Sequence, residues 1–403
     1  MHTEPDKHGP IPRVKVTPTT ALLLIAKRTE QQRSGDGQRA AALAHDALSK
    51  GCVSSLKYWL AFASERGAGV SSLSCCSMPL APASPRSAVA SPRHLLGLQS
   101  LSREEIVQWL SATRQMYEGS QRFATSLQGK VVANLFFEDS TRTRLSFTVA
   151  AKRLGADAID LLGATSSVNK GETLIDTACN IEAMGVCALV VRARQSGAAG
   201  LIASRVRVPV LNAGDGKHEH PTQGLLDVYT LAHAAGRVKD FDLKGMRVAI
   251  VGDISASRVA RSDIAALTAL GAHVTCVGSP SLAPKSLESL GVAVRHELDS
   301  LLPTLDAIIM LRIQFERYDG AATDAKKPAN VIASVREYRE LYALTQARAD
   351  KLAKHCVVMH PGPINRGIEL DAEVADGPRS LILKQVGNGV LVRMAALHGL
   401  LVG

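Results

Sequence analysis

Eight short apolar runs, alternating with stretches of helical periodicity, constrain this chain more than any other feature. The first four, at residues 131–137, 157–162, 187–192 and 208–211, are each followed by a helical segment. A second series begins at Arg247-Val248-Ala249-Ile250-Val251-Gly252-Asp253 and continues at 273–278, 307–311 and 356–359. Such alternation predicts parallel strands joined by helices on both faces of a sheet. The expectation is an α/β protein of two doubly wound domains, each a central parallel sheet flanked by helices, spanning 94–236 and 237–386. Asp240–Gly245 marks the junction. The apolar segment at 387–403 needs cover and is expected to pack back as a helix on the first domain. Ser102 with Glu105, three residues on, predicts a capping box at the start of the body.

Residues 1–93 differ from this body: they are rich in Ser, Ala, Pro and Arg, with a Ser/Cys cluster at Ser71–Ser77 and a Pro/Ser/Ala stretch at Pro79–Pro92. They read as a disordered extension, a partner-docking segment, or upstream sequence ahead of a true start at Met78. The net charge is +10, but residues 1–94 carry 12 Lys/Arg against 6 Asp/Glu, which leaves a net of +4 on the remainder. A mildly basic body suits small anionic substrates better than a nucleic-acid groove, and 4% aromatic residues argue against a base-stacking platform, so no nucleic-acid partner is expected. The seven cysteines include no CxxC pair, as expected of free thiols in a reducing compartment. No apolar run reaches transmembrane length and Ala21–Ala26 is too short for a signal core, so no membrane association and a cytoplasmic location are expected.

Chemistry-bearing residues cluster at the C-terminal ends of the predicted strands, where open α/β sheets bind ligands. The run Val131–Phe137 ends in Glu138-Asp139-Ser140-Thr141-Arg142-Thr143-Arg144 and leads into a helix. Free backbone N–H groups, hydroxyls and a guanidinium fork there form an anion socket. A well-capped helix with surface arginines is the equally weighted alternative for that stretch alone. A polar loop with Ser166, Ser167 and Lys170 precedes the next helix, and Arg192 closes the apolar strand Ala188–Val191. Asn212–Gly216 reads as a glycine-rich loop before His218, His220 and Gln223. Asp215, His218 and His220 lack the spacing of a metal site, and His220 before Pro221 is suited instead to donate a hydrogen bond to a substrate oxygen, with Gln223 one turn on. Arg258, then Arg312 and Gln314, follow two strands of the second series, with surface salt bridges as the alternative. His360-Pro361-Gly362-Pro363 forms a braced loop whose carbonyls are held in fixed directions. The turn after Gly252 lacks the G-x-G-x-x-G glycines of an NAD site, and neither a P-loop nor a nucleophile elbow is present. Several cations with one histidine and no carboxylate pair suit electrostatic catalysis on a dianionic substrate.

The motifs FFEDSTRTRLSF, SSVNKGETLIDT, NAGDGKHEHPTQGLLD, MLRIQFER, HPGPINRG and GNGVLVR resemble, in order from about residue 93 to the C-terminus, the catalytic chains of the aspartate carbamoyltransferase family. The HPCQ and HCLP motifs of the ornithine-specific relatives do not occur. The resemblance implies a carbamoyl phosphate-binding domain at 94–236 with the helix 387–403, and an aspartate-binding domain at 237–386. It implies transfer of the carbamoyl group to L-aspartate, giving N-carbamoyl-L-aspartate and phosphate in pyrimidine (UMP) biosynthesis, with no cofactor and no metal. Arg142, Thr143, Lys170, Arg192 and His220 are then the catalytic residues. Carbamoyl phosphate is expected on Ser140, Thr141, Arg142, Thr143, Arg192, His220, Gln223, Gly362 and Pro363. Aspartate is expected on Ser167 (or Ser166), Lys170, Arg258, Arg312 and Gln314. A homotrimer with active sites shared between chains is also implied, with regulatory chains or a dihydroorotase as further partners. Two alternatives stand beside it: a transcarbamylase for another amino acid such as ornithine, and an inactive scaffold subunit for dihydroorotase. Asp139 departs from the family pattern by placing a negative charge beside the anion socket; it is expected to point to solvent.

Overall fold

A computed structural model describes residues 94–162, 172–314, 332 and 334–402. Residues 1–93 and the loop bearing Ser166, Ser167 and Lys170 lie outside the described residues. Helix α1 (Arg103–Gly119) opens the fold. Its capping box forms as its sequence requires: Glu105 N donates to Ser102 Oγ at 3.2 Å and Ser102 N donates to Glu105 Oε2 at 2.9 Å. Then come β1 (Val131–Phe136), α2 (Thr141–Arg153), β2 (Asp157–Leu162), α3 (Leu174–Ala183), β3 (Ala188–Ala193), α4 (Ala198–Ala203), β4 (Val210–Asp215) and α5 (Pro221–Ala234). The second series is β5 (Arg247–Val251), α6 (Arg258–Ala269), β6 (His273–Val277), β7 (Ala293–Arg295), β8 (Ala307–Met310), α7 (Val335–Tyr342), α8 (Gln346–Ala349), β9 (Val357–Met359), α9 (Ala372–Ala375) and α10 (Ile382–Leu401).

The strands form two wholly parallel sheets, ordered β2-β1-β3-β4 and β7-β6-β5-β8-β9. Each is doubly wound, as the alternation requires. In the first, the chain leaves β1 for β2 on one side and then crosses to β3 on the other; in the second it leaves β5 for β6 and returns to β8. The two switch points therefore lie between β1 and β3 and between β5 and β8. A crevice opens there because successive connections depart to opposite faces.

Helix α5 joins the halves. Every residue from Pro221 to Ala232 is buried, and one continuous apolar core runs from Val132 and Phe147 through Leu225 and Tyr229 to Val248 and Ile264. Helix α10 packs back on α1, α2 and α5 as expected, but it begins at Ile382 rather than 387.

The fourth strand is the main correction. Apolar patterning places it at 208–211, with Asn212–Gly216 as a loop, yet it spans Val210–Asp215. Polar residues continue the strand because each finds partners: Asn212 Nδ2 donates to Leu96 O at 2.9 Å and to Asp215 Oδ1 at 2.8 Å. Strand β7, only three residues long, is too short for a periodic signature.

Candidate active site

A cleft of about 1050 Å³ opens at the C-terminal ends of both sheets, over both switch points. It is lined by Ser140, Thr141, Arg142 and Thr143 after β1, Arg192 from β3, His220 and Gln223 at the start of α5, Arg258 after β5, Arg312 and Gln314 after β8, and Gly362 and Pro363 after β9. Twelve of the residues expected from the sequence thus meet in one place. Lys170, Ser166 and Ser167 fall outside the described residues.

Ser140 occupies the N-cap position of α2 in an extended conformation, without a side-chain cap bond. The N–H groups of Thr141–Thr143 are those that a helix leaves without intrahelical partners, and they carry the positive end of the helix dipole. Arg142 extends from this turn to the His360–Pro363 loop. A Cβ on Gly362, whose φ is +66°, would lie 1.8 Å from Arg142 Nη1, so this glycine makes room for the guanidinium. Arg144, the second arginine of the motif, instead pairs with Asp160 of β2 at 3.6 Å. Asp139 is exposed at the mouth of the cleft.

Arg192 projects where β3 and β4 lose register between Val191 and Ala193. Such a bulge re-aims a side chain beside a site. Its Nη1 donates to Ala213 O at 3.2 Å and its Nη2 to Glu138 Oε1 at 2.9 Å. The same carboxylate accepts from Arg258, with Nη1 to Oε2 at 2.9 Å and Nη2 to Oε1 closer still. A Cβ on Gly214 would come within 2.8 Å of Arg258 Nε and 3.1 Å of Arg192 Nη1. Glycine at this position lets the two guanidinium groups lie beside the strand. Glu138 is the residue that sequence reasoning missed; it was visible in the motif, but its partners are 54 and 120 residues away.

His220 stands at the N-cap of α5, followed by Pro221 at the first helical position. Its N–H donates to Ser262 Oγ, which donates to the buried Glu219 carboxylate, so the turn is braced from α6. Burial, together with Arg393, Arg192, Arg258 and Arg142, holds the His220 imidazole well below the usual histidine range. It is therefore neutral at pH 7, with one ring N–H to donate. Burial and the neighbouring Arg312 likewise lower Arg142. Cations crowd this cleft, and an entering polyanion relieves their repulsion.

Of the metal reading weighed for Asp215, His218 and His220, the structure places His218 Nδ1 3.2 Å from Asp215 and His220 in the cleft. Asp215 is occupied as a loop brace, accepting from Gly197 N at 2.7 Å and Glu219 N at 3.2 Å. Among the described residues no group of three potential ligands comes together. Gln314 is tied to the second switch point through its N–H, which donates to Asp253 Oδ2 at 3.1 Å.

Fold and site together define a two-sheet α/β protein with a preformed cleft for small polyanionic ligands. Residues 93–233 match the carbamoyl-phosphate-binding domain of aspartate/ornithine carbamoyltransferases, and residues 244–400 match the Asp/Orn-binding domain. The chain is 52% identical over 306 residues to the aspartate carbamoyltransferase catalytic subunit of Myxococcus xanthus, an alignment covering 76% of this chain and 98% of that one. It superposes with a TM-score of 0.66 on the Trypanosoma cruzi aspartate transcarbamoylase in complex with carbamoyl phosphate and aspartate, at 30% identity, covering 78% of this chain and 98% of that one. The M. jannaschii aspartate transcarbamoylase catalytic subunit gives 0.63 at 35% identity over 76% and 97% of the two chains. The chain belongs to the aspartate/ornithine carbamoyltransferase family.

Proposed function

We propose that the protein transfers the carbamoyl group of carbamoyl phosphate to the α-amine of L-aspartate, giving N-carbamoyl-L-aspartate and phosphate for pyrimidine synthesis. The observation that carries this reading is the convergence of Arg142, Arg192, His220, Arg258 and Arg312 on one cleft spanning both switch points. The relatives named above, at up to 52% identity, support the choice of aspartate. Arg312 and Gln314 give the cleft a second carboxylate socket, which ornithine would leave unused.

In this reading the domain from 94 to 236, with α10, binds carbamoyl phosphate. Its phosphate rests on the α2 N-terminus, held by Ser140, Thr141, Arg142 and Thr143. Thr143, Arg192 and His220 hydrogen-bond the carbonyl oxygen. Gln223 and the carbonyls of Gly362 and Pro363 accept from the carbamoyl NH2. The domain from 237 to 386 binds aspartate, with Arg258 on the α-carboxylate and Arg312 on the β-carboxylate. The neutral amine attacks the carbonyl carbon, and negative charge builds on the oxygen facing Arg192 and His220. A neutral imidazole donor and fixed guanidinium groups stabilise that charge without reorganising. The tetrahedral intermediate then collapses: the C–O bond to phosphate breaks, phosphate leaves with the electron pair, and a phosphate oxygen takes the amine proton. No separate base is required, and orientation in the cleft supplies much of the remaining acceleration.

Lys170 with Ser167 or Ser166 completes the aspartate site from a neighbouring chain of a homotrimer. An exposed apolar patch supports such an assembly: Leu145 and Val149 on α2 and Ile159 and Leu162 on the edge strand β2 are 37–51% exposed. Cys179, Cys187, Cys276 and Cys356 are free thiols, in keeping with the cytoplasm. The purified full chain, given carbamoyl phosphate, should release phosphate with L-aspartate and not with L-ornithine; the reverse preference would overturn the reading.

A further inference from the structure

Beneath the cleft, Asp227 is buried where α5, α6 and α10 converge. It lies one turn after Gln223, on the same face of α5. Gln223 Nε2 donates to Asp227 Oδ1 at 3.0 Å and to Oδ2 at 3.2 Å. From α10, Gln385 Nε2 donates to Asp227 Oδ1 at 2.6 Å, while Gln385 Oε1 accepts from His360 N at 3.0 Å. The Gln385 amide can face only one way, because its oxygen alone can accept from the His360 N–H. Its NH2 end must then meet Asp227. His360 in turn sets the loop that follows: its Nδ1 accepts from Gly362 N at 2.7 Å, and its Nε2 lies 3.1 Å from Glu369 Oε1.

We infer that Asp227 is a positioning residue for recognition of the carbamoyl NH2 group. As an anion it accepts and cannot donate, so it draws the NH2 end of Gln223 inward and presents the amide oxygen to the cleft. Through Gln385 it also fixes the backbone of the His360–Pro363 loop. Both sets of acceptors proposed for the carbamoyl NH2, on α5 and after β9, are thereby set by one carboxylate. Asp263 of α6, fully buried beside Asp227, has its carboxyl held well above the usual carboxylate range by that burial and by its acidic neighbour. Burial pushes the Asp227 carboxyl up to about 6, while the hydrogen bonds from Gln385 and Gln223 and the charge of Arg393 on α10 oppose that rise, so Asp227 is the anion at pH 7.

This inference rests on the proposed carbamoyl phosphate site, and acetyl phosphate separates the two. It carries a methyl group where carbamoyl phosphate carries NH2 and shares every other group. Dissociation constants for both ligands, measured by titration calorimetry on the full chain, are compared for the unchanged protein, Asp227→Ala and Gln385→Leu. Aspartate turnover by the unchanged protein tests the underlying reading independently. Asp227→Ala should weaken carbamoyl phosphate by roughly tenfold or more, the scale of a lost or misdirected buried hydrogen bond, and acetyl phosphate by less than about twofold. If Asp227→Ala does not fold, Gln385→Leu, which removes the Asp227–Gln385–His360 link and leaves the Gln223–Asp227 pair in place, should show the same selective loss. Equal weakening of both ligands, or no weakening of either, would overturn the inference.

Discussion

Glu138 and Arg258 are joined across the two sheets. Arg258 Nη1 donates to Glu138 Oε2 at 2.9 Å, linking the turn after β1 to the N-terminus of α6 across 120 residues of sequence. Because Arg192 Nη2 donates to the same carboxylate at 2.9 Å, one anion fixes the two guanidinium groups proposed for the carbonyl oxygen and the aspartate α-carboxylate. Glu138→Gln keeps the shape and removes the charge. It should lower kcat/KM for aspartate roughly 10- to 100-fold, about 1.4–2.7 kcal/mol of transition-state stabilisation. The circular dichroism spectrum should be unchanged. Initial rates at varied aspartate provide the check; an unaltered kcat/KM would show that the arginines need no anchor.

Gly362→Ala places a methyl group where Arg142 now lies, at a φ of +66° that suits only glycine well. The guanidinium must move off the proposed phosphate site. Carbamoyl phosphate affinity should fall by at least about 100-fold, on the order of the interaction of a charged fork with phosphate. Thermal unfolding should shift much less than for a substitution in the apolar core. Titration of carbamoyl phosphate, beside a melting curve, measures both.

Arg312→Ala should raise the aspartate KM roughly 100-fold while leaving carbamoyl phosphate binding unchanged or only slightly weaker. The sign follows from charge: Arg312 is among the cations that disfavour the charged form of Arg142, so its removal takes away part of the repulsion that an entering dianion would relieve. Two-substrate kinetics separates these effects. Weaker carbamoyl phosphate binding with an unaffected aspartate KM would reverse the assignment of the two ends.

Asp263→Asn should stabilise the protein, and increasingly so as pH rises from about 4 to 7. Burial and Asp227 raise the folded-state pKa of Asp263 well above its ordinary value. At low pH the folded and unfolded states both hold the proton, and the group makes no difference. Above the unfolded pKa only the folded state still holds it, so wild-type stability falls by up to about 1.4 kcal/mol per pH unit until the folded pKa is reached. Asparagine has nearly the same shape and no proton to lose. Urea denaturation of both proteins at pH 4.5 and pH 7 tests this. A stability difference that does not grow with pH would mean that Asp263 is ionised in the fold.

Much of the site is visible in sequence because its residues sit where strands end, and strand ends follow from apolar patterning. Ser140–Thr143, Arg192, Arg258 and Arg312 all fall there, as a doubly wound sheet requires. What stays hidden depends on neighbours distant in the chain. Glu138 gains a role only when Arg258 arrives from the second sheet. Asp227 reads as one more residue of an apolar helix until Gln385 meets it from α10. The extension of β4 through Asn212–Asp215 is hidden for a similar reason: polar residues read as loop unless their partners, here including Leu96 O, are known. Gly214 and Gly362 read as turn formers, yet each makes room for an arginine supplied from elsewhere.

The most direct measurement titrates the full chain and its Arg142→Ala and Arg312→Ala variants with N-(phosphonacetyl)-L-aspartate, which joins a phosphonate to aspartate in one molecule. If one cleft holds the phosphate at Arg142 and the β-carboxylate at Arg312, the unchanged chain should bind it more tightly than it binds phosphate or aspartate alone. Each variant should then weaken binding by at least about 100-fold. Binding no tighter than that of phosphate, or full affinity retained in either variant, would contradict a single two-ended site.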